Sequence, residues 1–196
     1  MFQAQHLVLM DALLDSSQSR FRSLGFLLSG SLLLTISAKL QIPFYPVPMT
    51  LQTLVVLLLG IAFGWRLGFA TVVFYLVQGA VGLPVFAGTP EKGLGLAYLM
   101  GPTGGYLIGF AVAAAITGWM AERGFDRTLV GAATAMFCGN AVIYACGLAW
   151  LGQFIGYSEK LLALGITPFI LGDLVKIALA TVSLPLVWRW INHDKV

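Results

Sequence analysis

Residues 166–188 form a long apolar run that carries only two charges, Asp173 and Lys176, three residues apart. A run of this length can cross the hydrocarbon core of a bilayer as a helix, which takes roughly 17–25 residues. In a helix, a spacing of three puts both side chains on one face. A charge at mid-bilayer costs about 2.5–3.5 kcal/mol on insertion scales, so that face must turn towards protein or a wet cavity and away from lipid. The run therefore has to be one helix of a bundle, and its charged pair is a candidate functional site.

The rest of the chain agrees. Only 10% of its residues are charged and 59% are hydrophobic, with a mean hydropathy of +0.90, whereas a soluble domain carries about 25% charge. Such a chain cannot cover a soluble surface, and the reading is an all-α integral membrane protein in contact with the lipid bilayer. Its aqueous segments are too short for a separate soluble domain. The net charge of +3 is scattered, which fits positive loops beside a membrane and gives no patch for nucleic acid. Cys138 and Cys146 lie in one apolar run. On a helix they stand about 12 Å apart along the axis, too far for a disulfide, and they read as inert thiols. Asp11 and Asp15 precede Arg20 and Arg22, a pattern without the basic start of a cleaved signal peptide.

Six spans are expected, at about 23–42, 49–64, 67–84, 102–121, 128–151 and 166–190, with the second and third nearly continuous and divided by a tight turn near Gly64-Trp65-Arg66. This gives a small six-helix transmembrane bundle over 21–191, an N-terminal cytoplasmic or interfacial segment at 1–20 and a cytoplasmic tail at 192–196. Phe2, Leu7, Val8, Leu13 and Leu14 offer a weakly amphipathic surface helix in the first segment. With six spans both termini share one side. Arg20, Arg22, Arg66, Arg123, Arg127, Arg189 and Lys195 fall there, against Lys39, Lys92 and Lys160 opposite. The positive-inside rule makes the terminal side cytoplasmic. The outer loops are then 43–48, 83–101 and 152–165. The middle one is the longest and is rich in glycine and proline, yet it carries Val85, Phe86, Leu94, Leu96, Tyr98 and Leu99. Loops of that length are commonly functional, and these apolar residues favour an outer lid between helices 3 and 4, packed over the bundle. Asp173 lies about 10 Å below the outer end of the last helix, under that lid.

Several chemistries have no residues to carry them. Gly88-Thr-Pro-Glu-Lys-Gly93 has the glycine spacing of a nucleotide loop but is followed by Leu94, so no ATP-hydrolysing loop is expected. The only histidines, His6 and His193, lie near the termini, which leaves no Ser-His hydrolase or His-ligated metal centre within the bundle. No cofactor is expected. What is present is a set of polar groups within or at the ends of spans: Gln52, Thr53, Tyr75, Gln78, Tyr106, Asn140 and Tyr144. Each serves equally as interhelical hydrogen-bond glue or as a ligand contact. Gln52 and Asn140 stand out because each offers donors and an acceptor. The Asp173–Lys176 pair itself reads either as a binding site or as a structural ion pair that only orients its helix. Gly25-xxx-Ser29 and Ser31-xxx-Thr35 permit close helix approach, through internal packing, a partner subunit or self-association.

Four motifs appear in order: Pro46-Val-Pro-Met-Thr-Leu-Gln-Thr53, Gly79-Ala-Val-Gly-Leu-Pro-Val-Phe-Ala-Gly88, Gly101-Pro-Thr-Gly-Gly-Tyr-Leu-Ile-Gly-Phe110 and Gly172-Asp-Leu-Val-Lys176. Together they resemble the BioY family, the biotin-binding S components of energy-coupling factor (ECF) transporters, over nearly the whole chain after residue 20. The resemblance implies a non-enzymatic subunit of the bacterial cell membrane. It would bind biotin from outside under the loops after helices one and three, and dock onto a membrane coupling subunit and two ATPase subunits. Asp173, Lys176, Gln52 and Asn140 would meet the ureido group, Phe86, Gly88, Tyr98 and Tyr106 would belong to the pocket, and Lys92 or Lys39 would lie near the anionic tail. Two features depart from the family pattern: Glu91 and Lys92 stand where some relatives place an arginine, and span one has Gly, Ser and Thr pairs where an Ala-x-x-x-Ala motif is frequent. The alternatives are an S component for another vitamin, a structural membrane subunit that binds nothing, and a lipid-acting enzyme, which lacks a nucleophile or metal cluster.

Overall fold

The structure, a computed structural model, describes residues 8–13 and 20–193. Phe2, His6, Leu7, Leu14, Asp15 and Lys195 lie outside the described residues. In chain order the helices are α1 (Leu9–Leu13), α2 (Arg20–Lys39), α3 (Gln52–Ala80), α4 (Gly95–Leu99), α5 (Gly104–Ala121), α6 (Leu129–Ile155), α7 (Glu159–Gly165) and α8 (Ile170–His193), with a 3-10 turn at Phe125–Arg127. Five of them, α2, α3, α5, α6 and α8, are long and apolar enough to cross a membrane. Between α2 and α3 the chain makes a short antiparallel ribbon that pairs Gln41 with Thr50 and Ile42 with Met49. The sequence reading had only a proline-rich loop there.

α3 is not straight. Gly64 leaves helical geometry at φ 77°, a left-handed value that glycine reaches without steric cost. Gln52 Nε2 donates to the Tyr75 hydroxyl at 2.8 Å. In an unbroken helix those residues would stand about 35 Å apart, so the chain doubles back at Gly64 into two arms, 52–63 and 65–80. The turn near Gly64-Trp65-Arg66 expected from the sequence is therefore present, reached through one non-helical glycine.

Small residues let the arms and α5 touch backbone to backbone. A Cβ on Gly118 would fall 2.5 Å from the Gly64 carbonyl carbon and from the Trp65 nitrogen, and one on Gly60 would fall 2.5 Å from the Ala114 oxygen. Thr117, fully buried at this crossing, turns its hydroxyl to the Ala113 carbonyl of its own helix at 3.0 Å. α6 packs on the other side of α5, and α8 packs on α6. α2 lies against the second arm of α3, where the Ser31 hydroxyl donates to Gln78 Oε1. α1 sits at the Gly64 turn, with Val8 and Leu9 buried against it. At the same end the buried Asp126 carboxylate accepts from Trp188 Nε1 and ties the α5–α6 turn to α8. Burial raises the Asp126 pKa despite that bond.

Candidate functional site

The charged pair forms as its spacing requires. Lys176 Nζ lies 2.8 Å from Asp173 Oδ1, and Asp173 is only 5% exposed. Three other elements supply its partners. Thr53 on α3 donates its hydroxyl to Asp173 Oδ1 at 3.1 Å. From α6, Asn140 Nδ2 donates to Oδ2 at 3.3 Å, and the Tyr144 hydroxyl donates to the same oxygen. Lys176 Nζ also donates to the Thr50 carbonyl at 2.8 Å and to Thr53 Oγ1 at 2.9 Å. A carboxylate has about four lone-pair sites and an ammonium three donors. Both are filled. This is how the pair survives in an apolar setting: each charge faces its opposite and every remaining valence is satisfied.

The network forms one polar side of an otherwise apolar pocket of ≈ 540 Å³, measured out to its open mouth. Asp173, Lys176, Thr53, Gln52 and Tyr144 face it. Met49, Leu107, Phe110, Ile143 and Phe169 supply apolar walls, and Ala87 and Tyr98 close it from the segment between α3 and α5.

That segment is pinned at several points. Lys39, the last residue of α2, donates to the Phe86 carbonyl at 2.9 Å, the Thr89 carbonyl at 3.1 Å and Thr89 Oγ1 at 2.9 Å. The Tyr75 hydroxyl, which accepts from Gln52, donates onward to the Val85 carbonyl at 3.0 Å. Tyr98 donates to the Ala87 carbonyl at 2.7 Å, and burial pushes its pKa up to about 12, so it remains a neutral donor. The Phe86 ring stacks on Tyr98 at 4.9 Å and meets Tyr75 edge-on at 5.5 Å. It fills the space that a side chain at Gly79 would need, since a Cβ there would fall 2.0 Å from Phe86 Cζ.

Of the residues expected from the sequence, Asp173, Lys176, Gln52, Tyr98 and Tyr106 line the pocket. Asn140 stands behind Asp173, with its Oδ1 buried and unpartnered among the described residues. Phe86 lies beneath Tyr98 and holds the segment down. Gly88 and Lys92 are not in the lining: Lys92 is exposed and its stem covers Gly88. Lys39 is spent on the segment's carbonyls. The sequence reading missed Thr50, Thr103, Phe110 and Phe169, and it treated Thr53 and Tyr144 only as polar groups inside spans. Thr50 acts through its backbone carbonyl, which leaves no side-chain signal, and nothing local marks two phenylalanines among thirteen. Among the described residues no group of three His, Cys, Asp or Glu side chains could hold a metal ion.

Fold and site together define a helical membrane protein with a pocket lined by apolar walls and one polar network. The family model described as the BioY family matches residues 10–193. The chain is 41% identical over 150 residues to the probable biotin transporter BioY of Pyrococcus horikoshii, covering 76% of this chain and 86% of that one. It is 32% identical over 176 residues to the biotin transporter BioY2 of Lactococcus lactis, covering 89% and 94%. The fold matches the crystal structure of the S-component for biotin from an ECF-type ABC transporter with a TM-score of 0.74 at 24% identity, over 90% of this chain and 95% of that one. The chain belongs to the BioY family.

Proposed function

We propose that this protein binds biotin at the Asp173–Lys176 pocket and serves its uptake across the membrane as the substrate-binding subunit of an ECF-type transporter. The observation that carries this reading is the saturated Asp173–Lys176 network on one side of an apolar pocket, in a chain whose relatives are named biotin transporters. Biotin is a neutral ureido bicycle with an aliphatic acid tail. Its ring system needs apolar walls, and its ureido group needs acceptors for two N–H groups and a donor for one oxygen. A net-neutral pair offers both. Because Asp173 and Lys176 have no free valence, the ligand must exchange for an internal partner. Thr53 and Tyr144 both face the pocket and donate to Asp173, but Thr53 also accepts from Lys176, so the Tyr144 hydroxyl is the partner that yields.

Counting the arms of α3 separately gives six transmembrane helices over 21–191, with 1–20 and 192–196 as cytoplasmic flanks. In this topology the 83–101 segment is an outer lid over the pocket. Import is then energised from outside the chain, by a membrane coupling subunit and two ATPases.

Purified protein should retain about one labelled biotin per chain without ATP. At a hundredfold excess of ligand over Kd, mass action should add about 2.7 kcal/mol of stability. Retention of thiamine or riboflavin in place of biotin would overturn the assignment. For orientation, Thr89 is buried, so the informative position is the exposed Glu91. Glu91→Cys, with Cys138 and Cys146 replaced, should react with a membrane-impermeant thiol reagent on intact cells. Labelling only after the cells are opened would reverse the topology.

A further inference from the structure

Away from the pocket, the turn at Gly64 and the last turns of α5 frame a second apolar groove, ≈ 800 Å³ out to its open side, lined by Trp65, Val112, Ala115, Ile116 and Trp119. The backbone contact at Gly118 holds its walls in register, because Gly64 and Trp65 leave no room for a side chain there. Val112 and Trp119 lie about 10 Å apart along α5, so the groove runs along the helix and opens sideways. Trp65 is 40% exposed and Trp119 49%. Both stand at one end, and paired tryptophans at one level are the mark of a membrane interface.

Two arginines crown that end. The Arg66 guanidinium carbon lies 5.1 Å from the Trp65 ring centroid, and that of Arg123 lies 3.5 Å from the Trp119 centroid. Arg123 also donates to the Trp119 carbonyl at 3.0 Å. Both guanidinium groups are exposed, and neither has a carboxylate partner among the described residues. The nearby Glu122 carboxylate accepts from the Trp65 backbone N–H at 3.1 Å, so its charge is directed at the turn. The rim therefore holds two cations and one anion above an apolar slot that faces lipid.

We propose that this groove is a binding site for an anionic phospholipid, with an acyl chain against Val112, Ala115 and Ile116 and the headgroup phosphate held by Arg66 and Arg123. An arginine fork matches phosphate oxygens bidentately, and stacking on tryptophan pre-orients it. Basic pockets between transmembrane helices recognise anionic headgroups by this chemistry. The site is independent of the biotin reading, since none of its residues lines the ligand pocket.

The test is native mass spectrometry of the detergent-purified protein titrated with dioleoylphosphatidylglycerol or dioleoylphosphatidylcholine. The parent should bind phosphatidylglycerol in preference. R66Q/R123Q should weaken that binding about thirtyfold, from about one kilocalorie per arginine. V112W, which fills the slot, should abolish it. R189Q removes one positive charge elsewhere in the chain and should leave it unchanged. All variants should retain biotin, which reports on folding separately. An equal loss in R189Q, equal binding of phosphatidylcholine, or parent-like binding by R66Q/R123Q would overturn the site. In cells, a benzophenone side chain at position 112 should crosslink to phospholipid. Crosslinking to a polypeptide instead would assign the groove to a partner subunit and overturn the proposal.

Discussion

Replacing Asp173 by Asn should leave the bundle folded and lower biotin affinity about tenfold to a hundredfold, the scale of a lost hydrogen bond to a charged group. The change is isosteric, but it converts one acceptor oxygen of a carboxylate that already accepts from Thr53, Lys176, Asn140 and Tyr144 into a donor. The two donors on the converted oxygen, Thr53 and Lys176 on Oδ1 or Asn140 and Tyr144 on Oδ2, lose their acceptor, and the ligand loses a charged acceptor. Lys176→Met should also weaken binding, with a larger loss of thermal stability, because it leaves a buried carboxylate without its counter-ion. Stability must be measured beside affinity so that unfolding is not mistaken for loss of the site. The double variant decides the role of the pair. If Asp173 and Lys176 serve only each other, removing both should be harmless or stabilising. If they meet the ligand, the double variant should fold and still fail to bind. A folded double variant with parental affinity would show that the pair is structural and that the ligand binds elsewhere.

Gly118→Ala should have a large effect on the fold itself. A Cβ there meets only backbone: the Gly64 carbonyl carbon and Trp65 nitrogen at 2.5 Å, and the Trp65 Cα at 2.7 Å. No flexible side-chain end can swing away, so α5 and the α3 turn must separate. We expect a loss of about 3 kcal/mol, the upper part of the overpacking range, read as a drop in Tm in detergent. Gly25→Ala is the matched control, since a Cβ at Gly25 meets nothing within 4 Å. Equal melting of the two variants would show that the backbone contact at Gly118 contributes nothing to stability.

Two features of this chain were written in its sequence because their cause is local. Length and apolar composition decide which segments can lie in a bilayer, and the five helices long enough and apolar enough to cross one follow from them, where the sequence reading counted six spans. The three-residue spacing of Asp173 and Lys176 places both on one face, and their ion pair follows from that spacing and the cost of exposing charge to lipid. The glycine that turns α3 was equally legible as an interruption in an apolar run. Other features depended on contacts between distant segments, which no local pattern encodes. Lys39 had a free cation's signature in the sequence, yet three oxygens 47 to 50 residues away occupy it. Thr50 serves the site through a carbonyl, and Tyr144 enters it from α6 only because α6 packs against α8. Lys92 was placed by its charge near the pocket, but its stem lies over Gly88, in space that a side chain there would fill. The sequence by itself determined that this is a bundle of membrane helices with one charged pair facing inward, because hydrophobic length and charge cost act within a single helix. Which groups satisfy that pair, and which line the pocket beside it, only the tertiary structure decided, because a hydrogen bond is specified by the meeting of two segments and by neither alone.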